Sequence, residues 1–268
     1  MYENYADLAK KIRKHCLHMV HIGQSGHIGS MLSVADLLAV LYGGALKIDP
    51  QAPERPDRDR LIFSKGHAGA AVYAALAEQG FFPREWIDTY DQNGGKLLGH
   101  ISHYVPGVEF STGSLGHGLP VAVGMALAAR ERGQKHRVFA ILSDGDCNEG
   151  STWEAIMFAG QRHLSNLIAI VDYNRIQALG FSKDILDLGD LESRVAPFGW
   201  ACKSIDGHDY GQIAAALQEI SPLDSKPTCI IANTIKGKGV RFMENQVHSH
   251  YWHVTDEDLA RAMKELEE

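Results

Sequence analysis

The sequence predicts an α/β fold: a three-layer α/β/α sandwich built around a mainly parallel sheet. Two observations support this prediction. Short apolar runs at 138–142 and 167–171 have the length and composition of strands that are buried on both faces. Segments with helical periodicity separate such runs, and strands that alternate with helices are typical of parallel sheets covered on both sides.

The elements alternate in this way along the chain. Apolar residues at helical spacing predict helices at 3–21, 33–43, 68–79, 116–132, 151–163 and 210–220. Short apolar runs predict strands at 61–64, 138–142, 167–171, 201–205 and 229–232. The residues Thr255-Asp256-Glu257-Asp258 have the pattern of a capping box and predict the start of a final helix.

The composition is that of an ordinary globular protein. The chain has 268 residues, of which 45% are hydrophobic and 22% charged, and we expect residues 1–268 to form a single domain. The net charge of −7 argues against a general nucleic-acid or membrane-surface binder. We find no signal peptide at the N-terminus, and we expect no apolar run to approach the ~18 residues that span a bilayer. The four cysteines are scattered, so we expect no zinc site, no disulfide framework and a cytoplasmic location.

The segment 138–176 carries the strongest signal for a functional site. A five-residue apolar strand ends just before Ser143-Asp144-Gly145, and a helix follows, whose N-terminus favours an anion. The next strand ends just before Asn174. Because the carboxyl ends of parallel strands meet at one edge of a sheet, where ligands bind, Asp144 and Asn174 are expected to lie close together. Their oxygens, a backbone carbonyl and diphosphate oxygens form a set that suits Mg²⁺ or Ca²⁺ rather than zinc.

This arrangement resembles the signature of thiamine-diphosphate enzymes, in which Gly-Asp-Gly is followed by Asn. Gly145 and Asn174 match that signature, whereas Ser143 stands where the first glycine is usual. Nearly the whole chain resembles the diphosphate-binding, N-terminal domain of transketolase. The matching motifs occur in the same order and are 25–29 (SGHIG), 57–60 (DRDR), 64–67 (SKGH), 98–100 (LGH), 112–118 (TGSLGHG), 144–150 (DGDCNEG), 205–209 (IDGHD) and 234–237 (TIKG).

The resemblance implies a role for individual residues. Asp144, the side chain of Asn174 and the carbonyl of Ile176 would bind the metal, taken as Mg²⁺ with Ca²⁺ or Mn²⁺ as alternatives. The residues implied at the cofactor are His67, Gly113, Leu115, Gly145, Glu149, Asn174, Ile176 and His253. Glu149 matches an acidic residue that helps to link two cofactor sites across a subunit interface.

Histidines are the implied catalytic residues, because the reaction moves protons on and off sugar oxygens and imidazoles titrate near neutral pH. His27, His67 and His100 would face the reacting hydroxyls. The fourth histidine is taken as His253, since Trp252-His253 fits separate-subunit transketolases, and His250 is the rival. The implied activity is the transfer of a two-carbon ketol unit from a ketose to an aldose, both expected to be sugar phosphates.

The resemblance extends to only one of the domains of transketolase. The pyrimidine-binding and C-terminal domains of transketolase, including the glutamate that activates the cofactor, do not occur in this chain. We therefore expect a separate N-terminal subunit that acts only with a C-terminal subunit, in a heterotetramer, with no nucleic-acid or membrane partner. A truncated piece of a longer transketolase is the alternative.

The sequence leaves two alternatives to this function open. The chain could belong to another thiamine-diphosphate enzyme, such as a 2-oxoacid dehydrogenase E1 or a deoxyxylulose-phosphate-synthase-like enzyme. It could also be a cofactor-binding protein without catalysis, although the three histidines His27, His67 and His100 argue against this.

Overall fold

The computed structural model describes residues 2–220 and 225–268. A parallel five-stranded sheet lies at the centre, with strand order β1-β2-β3-β5-β4. Its strands are β1 (Arg60–Phe63), β2 (Val138–Ser143), β3 (Leu167–Tyr173), β4 (Ala201–Asp206) and β5 (Thr228–Asn233). All five strands were predicted to within two residues at either end, and the α/β fold is confirmed.

Helices cover both faces of this sheet. They are α1 (Tyr2–Gly23), α2 (Ile28–Val40), α3 (Gly69–Glu78), α4 (Gly118–Glu131), α5 (Gly150–Gln161), α6 (Ser182–Leu186), α7 (Leu191–Val195), α8 (Tyr210–Gln218) and α9 (Asp256–Glu265). The predicted capping box of α9 is present, with Thr255 and Asp258 each accepting from the other's backbone. The short helices α6 and α7 were not predicted, because five residues are too few to show a helical period.

Successive residues of the strands point into two separate cores, which makes the sandwich three layers deep. In β2, Phe139 and Ile141 pack into the core beneath α1, α2 and α3, while Ala140 and Leu142 pack into the core beneath α4 and α5. This period of two is the expected geometry of a strand. Because all six residues of β2 are buried, the sequence shows a continuous apolar run instead of alternation.

Helix α2 begins five residues earlier than predicted. Gly29 was expected to lie in a break, since glycine weakens a helix. The reason for glycine here is tertiary, because a Cβ at Gly29 would lie 2.2 Å from Ser249 Oγ and 2.9 Å from Lys236 Cγ. The start of α2 therefore packs directly against the segment that follows β5.

Helix α2 also corrects an expectation about membranes. Together with the π-helical turn Leu41–Ala45 it forms an 18-residue segment, Ile28–Ala45, with a mean hydropathy of 1.5, long and apolar enough by these criteria to cross a bilayer. The expectation that no run approaches this length is thus wrong. The segment is 83% buried within the fold, and the core helix of a globular protein meets the same criteria, so the finding is weak evidence for a membrane span.

A buried ion pair fastens α1 to α2. The two terminal guanidinium nitrogens of Arg13, Nη1 and Nη2, donate to Asp36 at 3.0 and 2.5 Å, and Tyr210 Oη donates to the same carboxylate at 2.8 Å. His208 accepts a hydrogen bond from the Ile235 amide at Nε2, so its Nδ1 carries the proton and donates to Asp36 at 2.7 Å. His208, which lies in one of the matching motifs, thus has a structural role within the chain.

We predict opposite effects for two helical glycines changed to alanine. A Cβ at Gly160 in α5 would lie 1.8 Å from the carbonyl oxygen of Phe198, so Gly160→Ala should lower the free energy of unfolding by about 1–3 kcal/mol. Apart from the neighbouring residues and backbone of its own helix, no atom of the described residues lies within 4 Å of a Cβ at Gly124 in α4, so Gly124→Ala should raise the free energy of unfolding by up to about 1 kcal/mol. Denaturant unfolding measures both, and equal effects would contradict the packing of α5.

Candidate active site

A cavity of about 330 Å³ lies at the carboxyl ends of β2 and β3. Residues from both sheet faces and from the segment after β5 line it. The predicted site residues that line it are His27, His67, His100, Gly113, Leu115, Asp144, Gly145, Asn174 and Ile176. The fold therefore brings together nine residues that the sequence spreads over 150 positions, from His27 to Ile176.

Four histidine rings form one wall of this cavity. The ring centroid of His27 lies 5.1 Å from that of His67, 5.9 Å from that of His100 and 4.8 Å from that of His250. The centroids of His67 and His250 are 5.8 Å apart. Burial lowers the pKa of His27 to about 4 and that of His250 to about 3, and it lowers the pKa of His67 well below its ordinary value. These three rings are therefore neutral at physiological pH, and each offers one donor and one acceptor.

The backbone at His27 is in the left-handed region, with φ of 71°. This conformation is uncommon for a residue with a side chain and costs on the order of 1–3 kcal/mol. A hydrogen bond of 2.6 Å from the His27 amide to the carbonyl of His250 helps to hold it. The strain is the consequence of placing His27 at the tip of α2, where its ring reaches the other histidines.

The fourth histidine of the cavity is His250, and the expectation for His253 is corrected. The 3₁₀ helix Val247–His250 carries His250 into the cavity wall. The chain then turns away, because Trp252 Nε1 donates to Asp258 Oδ2 of α9 at 3.0 Å, and His253 is exposed. His253 does not line the cavity, so the structure does not support its implied contact with the cofactor either.

The residues expected to bind a metal lie together and present oxygen atoms. Asp144 accepts hydrogen bonds from the Gly145 amide at 3.0 Å and from the Ser182 hydroxyl, and Asn174 Oδ1 accepts from the Ile176 amide at 3.1 Å. Asp144 is buried, and burial raises the pKa of its carboxyl group. A buried carboxylate that contacts no cationic side chain of the described residues is a fitting ligand for a divalent cation, which would offset its desolvation.

Such an ion would need further oxygen ligands that are not carboxylate side chains. Among residues 2–220 and 225–268, no group of three or more His, Cys, Asp or Glu side chains could hold a metal. One carboxylate, one amide oxygen and one carbonyl leave an octahedral ion incomplete. This donor set therefore fits a metal that is bound jointly with a diphosphate.

Asp146 organises the turn that presents Asp144. Its two carboxylate oxygens accept from the Ser143 amide and hydroxyl, each at 2.8 Å, from the Ser64 hydroxyl at 2.6 Å and from the Gly116 amide at 2.8 Å. Ser143 stands where glycine is usual, and its hydroxyl supplies one of these bonds. The departure is compatible with the turn because the hydroxyl has a partner.

Two buried lysines lie behind the cavity, and sequence reasoning gave neither a role. Lys65 pairs with Asp172, and neither side chain is exposed. Lys236 Nζ donates to the Ile176 carbonyl at 2.9 Å and lies 2.9 Å from His250 Nδ1. Burial lowers the pKa of Lys236 to about 8, so it is still mostly an ammonium at neutral pH. Both lysines lie in motifs that match the family, SKGH and TIKG. Their place in these motifs was the sequence signal that could have identified them as site residues.

Glu149 is exposed and does not line the cavity. It lies at the N-terminal end of α5, next to Gly116, where a Cβ would come within 2.5 Å of Glu149 Cβ. Its implied role across a subunit interface stays a prediction.

Comparisons with known proteins agree with this geometry. The family profile described as "Transketolase, thiamine diphosphate binding domain" matches residues 5–267. The chain is 44% identical over 271 residues to the 6-deoxy-6-sulfo-D-fructose transketolase subunit SqwG of Clostridium sp. (strain MSTE9), covering 100% of this chain and 98% of the relative. It is 39% identical over 269 residues to an apulose-4-phosphate transketolase subunit of Actinobacillus succinogenes, covering 100% of this chain and 97% of that relative.

Among solved structures, the transketolase of Campylobacter jejuni superposes with a TM-score of 0.94 at 34% identity. That match covers 99% of this chain but 43% of the other, so the chain spans less than half of that transketolase. Together, the family profile and these relatives show that the chain belongs to the transketolase family as a thiamine-diphosphate-binding domain.

Proposed function

We propose that this chain is the diphosphate- and metal-binding subunit of a two-chain transketolase that transfers a two-carbon ketol unit from a ketose to an aldose. The observation that carries the proposal is a single cavity that joins a hard-oxygen donor set to a wall of four histidines. The matched relatives are named as transketolase subunits, which does not favour a 2-oxoacid dehydrogenase, a deoxyxylulose-phosphate synthase or a non-catalytic protein.

The residues of the chain divide the work between binding and proton handling. When bound, thiamine diphosphate supplies a carbon nucleophile and an electron sink for cleaving the bond beside a ketose carbonyl. Asp144, Asn174 and the Ile176 carbonyl would hold the metal, for which Mg²⁺ is proposed, with Ca²⁺ or Mn²⁺ as alternatives. Gly113 and Gly145 line the cavity without side chains, which allows close approach of a ligand to the backbone.

The histidines would orient the sugar and move its protons. A neutral imidazole donates a hydrogen bond to a carbonyl or hydroxyl oxygen through one nitrogen and accepts a proton through the other. His27 and His250 are adjacent in the wall, so two oxygens of one small sugar can be contacted together. We propose sugar phosphates as substrates; the two relatives are named for 6-deoxy-6-sulfo-D-fructose and apulose-4-phosphate, which are alike in carrying an acidic group.

The proposal includes a partner subunit that carries the pyrimidine-binding domain, in a heterotetramer. The relatives' designation as subunits supports a partner. Exposed apolar side chains at the cavity rim support it too: Leu179 is 89% exposed and Tyr251 57%. A single domain over residues 1–268 and a cytoplasmic location remain parts of the proposal.

The first prediction concerns the metal. Asp144→Asn removes the negative charge that would bind the metal. The affinity for thiamine diphosphate with Mg²⁺ should therefore fall by at least about 100-fold, which is more than the loss expected for a residue that only hydrogen-bonds to a metal ligand. Isothermal titration of the chain with its partner subunit measures this. Asp184→Asn, an exposed carboxylate of α6, is the matched control. Unchanged affinity of Asp144→Asn would contradict the proposed metal site.

The second prediction separates the two rival histidines. His250→Gln should lower kcat by about 10²–10⁴-fold, because a group that handles a proton in the cavity is lost. His253→Gln should leave kcat within about two-fold of the unsubstituted enzyme, since exposed side chains away from the cavity have small effects. Steady-state ketol transfer by the two-chain enzyme measures both, and the reverse order of effects would restore His253 to the site.

The third prediction concerns the partner. The purified chain should bind the cofactor weakly and show no ketol transfer, because the activating glutamate is implied on the other chain. Adding the partner subunit should restore turnover, with the complex sized by light scattering. Full turnover by the chain alone would overturn the two-chain proposal.

A further inference from the structure

Lys236 connects the two halves of the cavity wall. Its side chain is fully buried, and its Nζ lies 2.9 Å from the carbonyl oxygen of Ile176 and 2.9 Å from Nδ1 of His250. One ammonium group thus touches both the carbonyl expected at the metal and a histidine expected at the substrate. The family resemblance implies no role for Lys236, and the proposed roles of the other cavity residues do not involve it.

Lys236 is held in place through its backbone and through its side chain. Its backbone carbonyl accepts from the Asn245 amide at 2.9 Å, and the Gly237 amide donates to the Gly29 carbonyl at 2.9 Å. The Cγ atom packs so close to Gly29 that a Cβ there would lie 2.9 Å away. A long side chain that has lost its rotamer freedom can hold a partner in a single orientation.

The chemistry of the two groups determines the direction of the hydrogen bond between them. An ammonium group has three donors and no acceptor, so the nitrogen of His250 that faces it must accept. A ring nitrogen that accepts a hydrogen bond carries no hydrogen, so the single hydrogen of the ring is on Nε2. Among the residues that the structure describes, no hydrogen-bond partner of Nε2 is recorded, whereas the ring as a whole lines the cavity.

We infer that Lys236 is a positioning residue that holds His250 as its Nε2–H tautomer, so that the ring presents a hydrogen-bond donor to oxygen atoms of a sugar in the cavity. A ketose carbonyl or the oxygen of a deprotonated hydroxyl is the acceptor that such a donor fits. The other tautomer would present a lone pair to the same oxygen and repel it. The inference rests on the proposed function for the nature of the bound oxygen, but the tautomer itself does not depend on it.

The tautomer can be measured without turnover. In the chain labelled with ¹⁵N-histidine, two-dimensional NMR at neutral pH distinguishes Nδ1–H from Nε2–H rings, and the spectrum of His250→Gln assigns the signals. We expect His250 in the unsubstituted chain to show a protonated Nε2 and an Nδ1 that accepts a hydrogen bond. An Nδ1–H ring, or a ring that exchanges equally between both forms, would overturn the inference.

The variant Lys236→Met keeps the length of the side chain and removes the donor. It should shift the Nδ1 signal of His250 towards that of an unbonded ring and allow both tautomers. Lys238→Met is the matched control, because Lys238 lies two residues further along the same segment, lines a different cavity and does not contact His250. Identical His250 signals in Lys236→Met and the unsubstituted chain would contradict a positioning role.

In the two-chain enzyme, the loss of positioning should lower kcat by about 10–100-fold and change KM by less, as is typical of residues that orient a functional ligand or side chain. Lys238→Met should retain both parameters. If the two-chain enzyme shows no ketol transfer at all while the NMR result holds, the proposed function fails and the tautomer assignment survives. If ketol transfer proceeds normally in Lys236→Met, the positioning role fails and the proposed function survives.

Discussion

The buried ion pair between Lys65 and Asp172 is the interaction on which the site depends. Lys65 lies two residues before His67, and Asp172 two residues before Asn174, so the pair joins the loop that carries a cavity histidine to the strand end that carries a proposed metal ligand. Neither side chain is exposed, and Asp172 also accepts from Ser33 at 2.7 Å and from Thr234. Removing either charge would leave the other buried and unpaired, at a cost of about 3–5 kcal/mol. The pair therefore fixes the distance between the two halves of the cavity, whatever its net contribution to stability.

Above this pair, the cavity separates two kinds of chemistry by their environment. The wall with Asp144 offers oxygen atoms and negative charge, which suit a cation and its diphosphate. The opposite wall includes His27, His67 and His250, and burial lowers the pKa of these three imidazoles, so that they act as neutral donors and acceptors. Lys236 lies where the walls meet and contacts both. Positive charge is thus placed behind the cavity.

Much of this arrangement can be predicted from local sequence. The apolar runs located all five strands, and the position of Asp144 and Asn174 after two neighbouring strands located the oxygen donors. Three features lay beyond sequence reasoning. The early start of α2 depends on Gly29 packing against Ser249, a contact over 220 positions. The choice of His250 over His253 depends on Trp252 bonding to α9, which a dipeptide pattern does not show. The contacts of Lys236 depend on how the segment after β5 folds back over the start of α2, and no periodicity encodes that path.

We propose that the oxygen donors and the histidines serve one bound cofactor. The most direct measurement is an anomalous difference map from crystals of the chain grown with its partner subunit, thiamine diphosphate and Mn²⁺. The account predicts one manganese peak at bonding distance from Asp144, Asn174 and the Ile176 carbonyl, with the diphosphate completing its coordination and the thiazolium ring facing His27, His67 and His250. A peak elsewhere in the chain, or a cofactor bound without a metal between these residues, would contradict it.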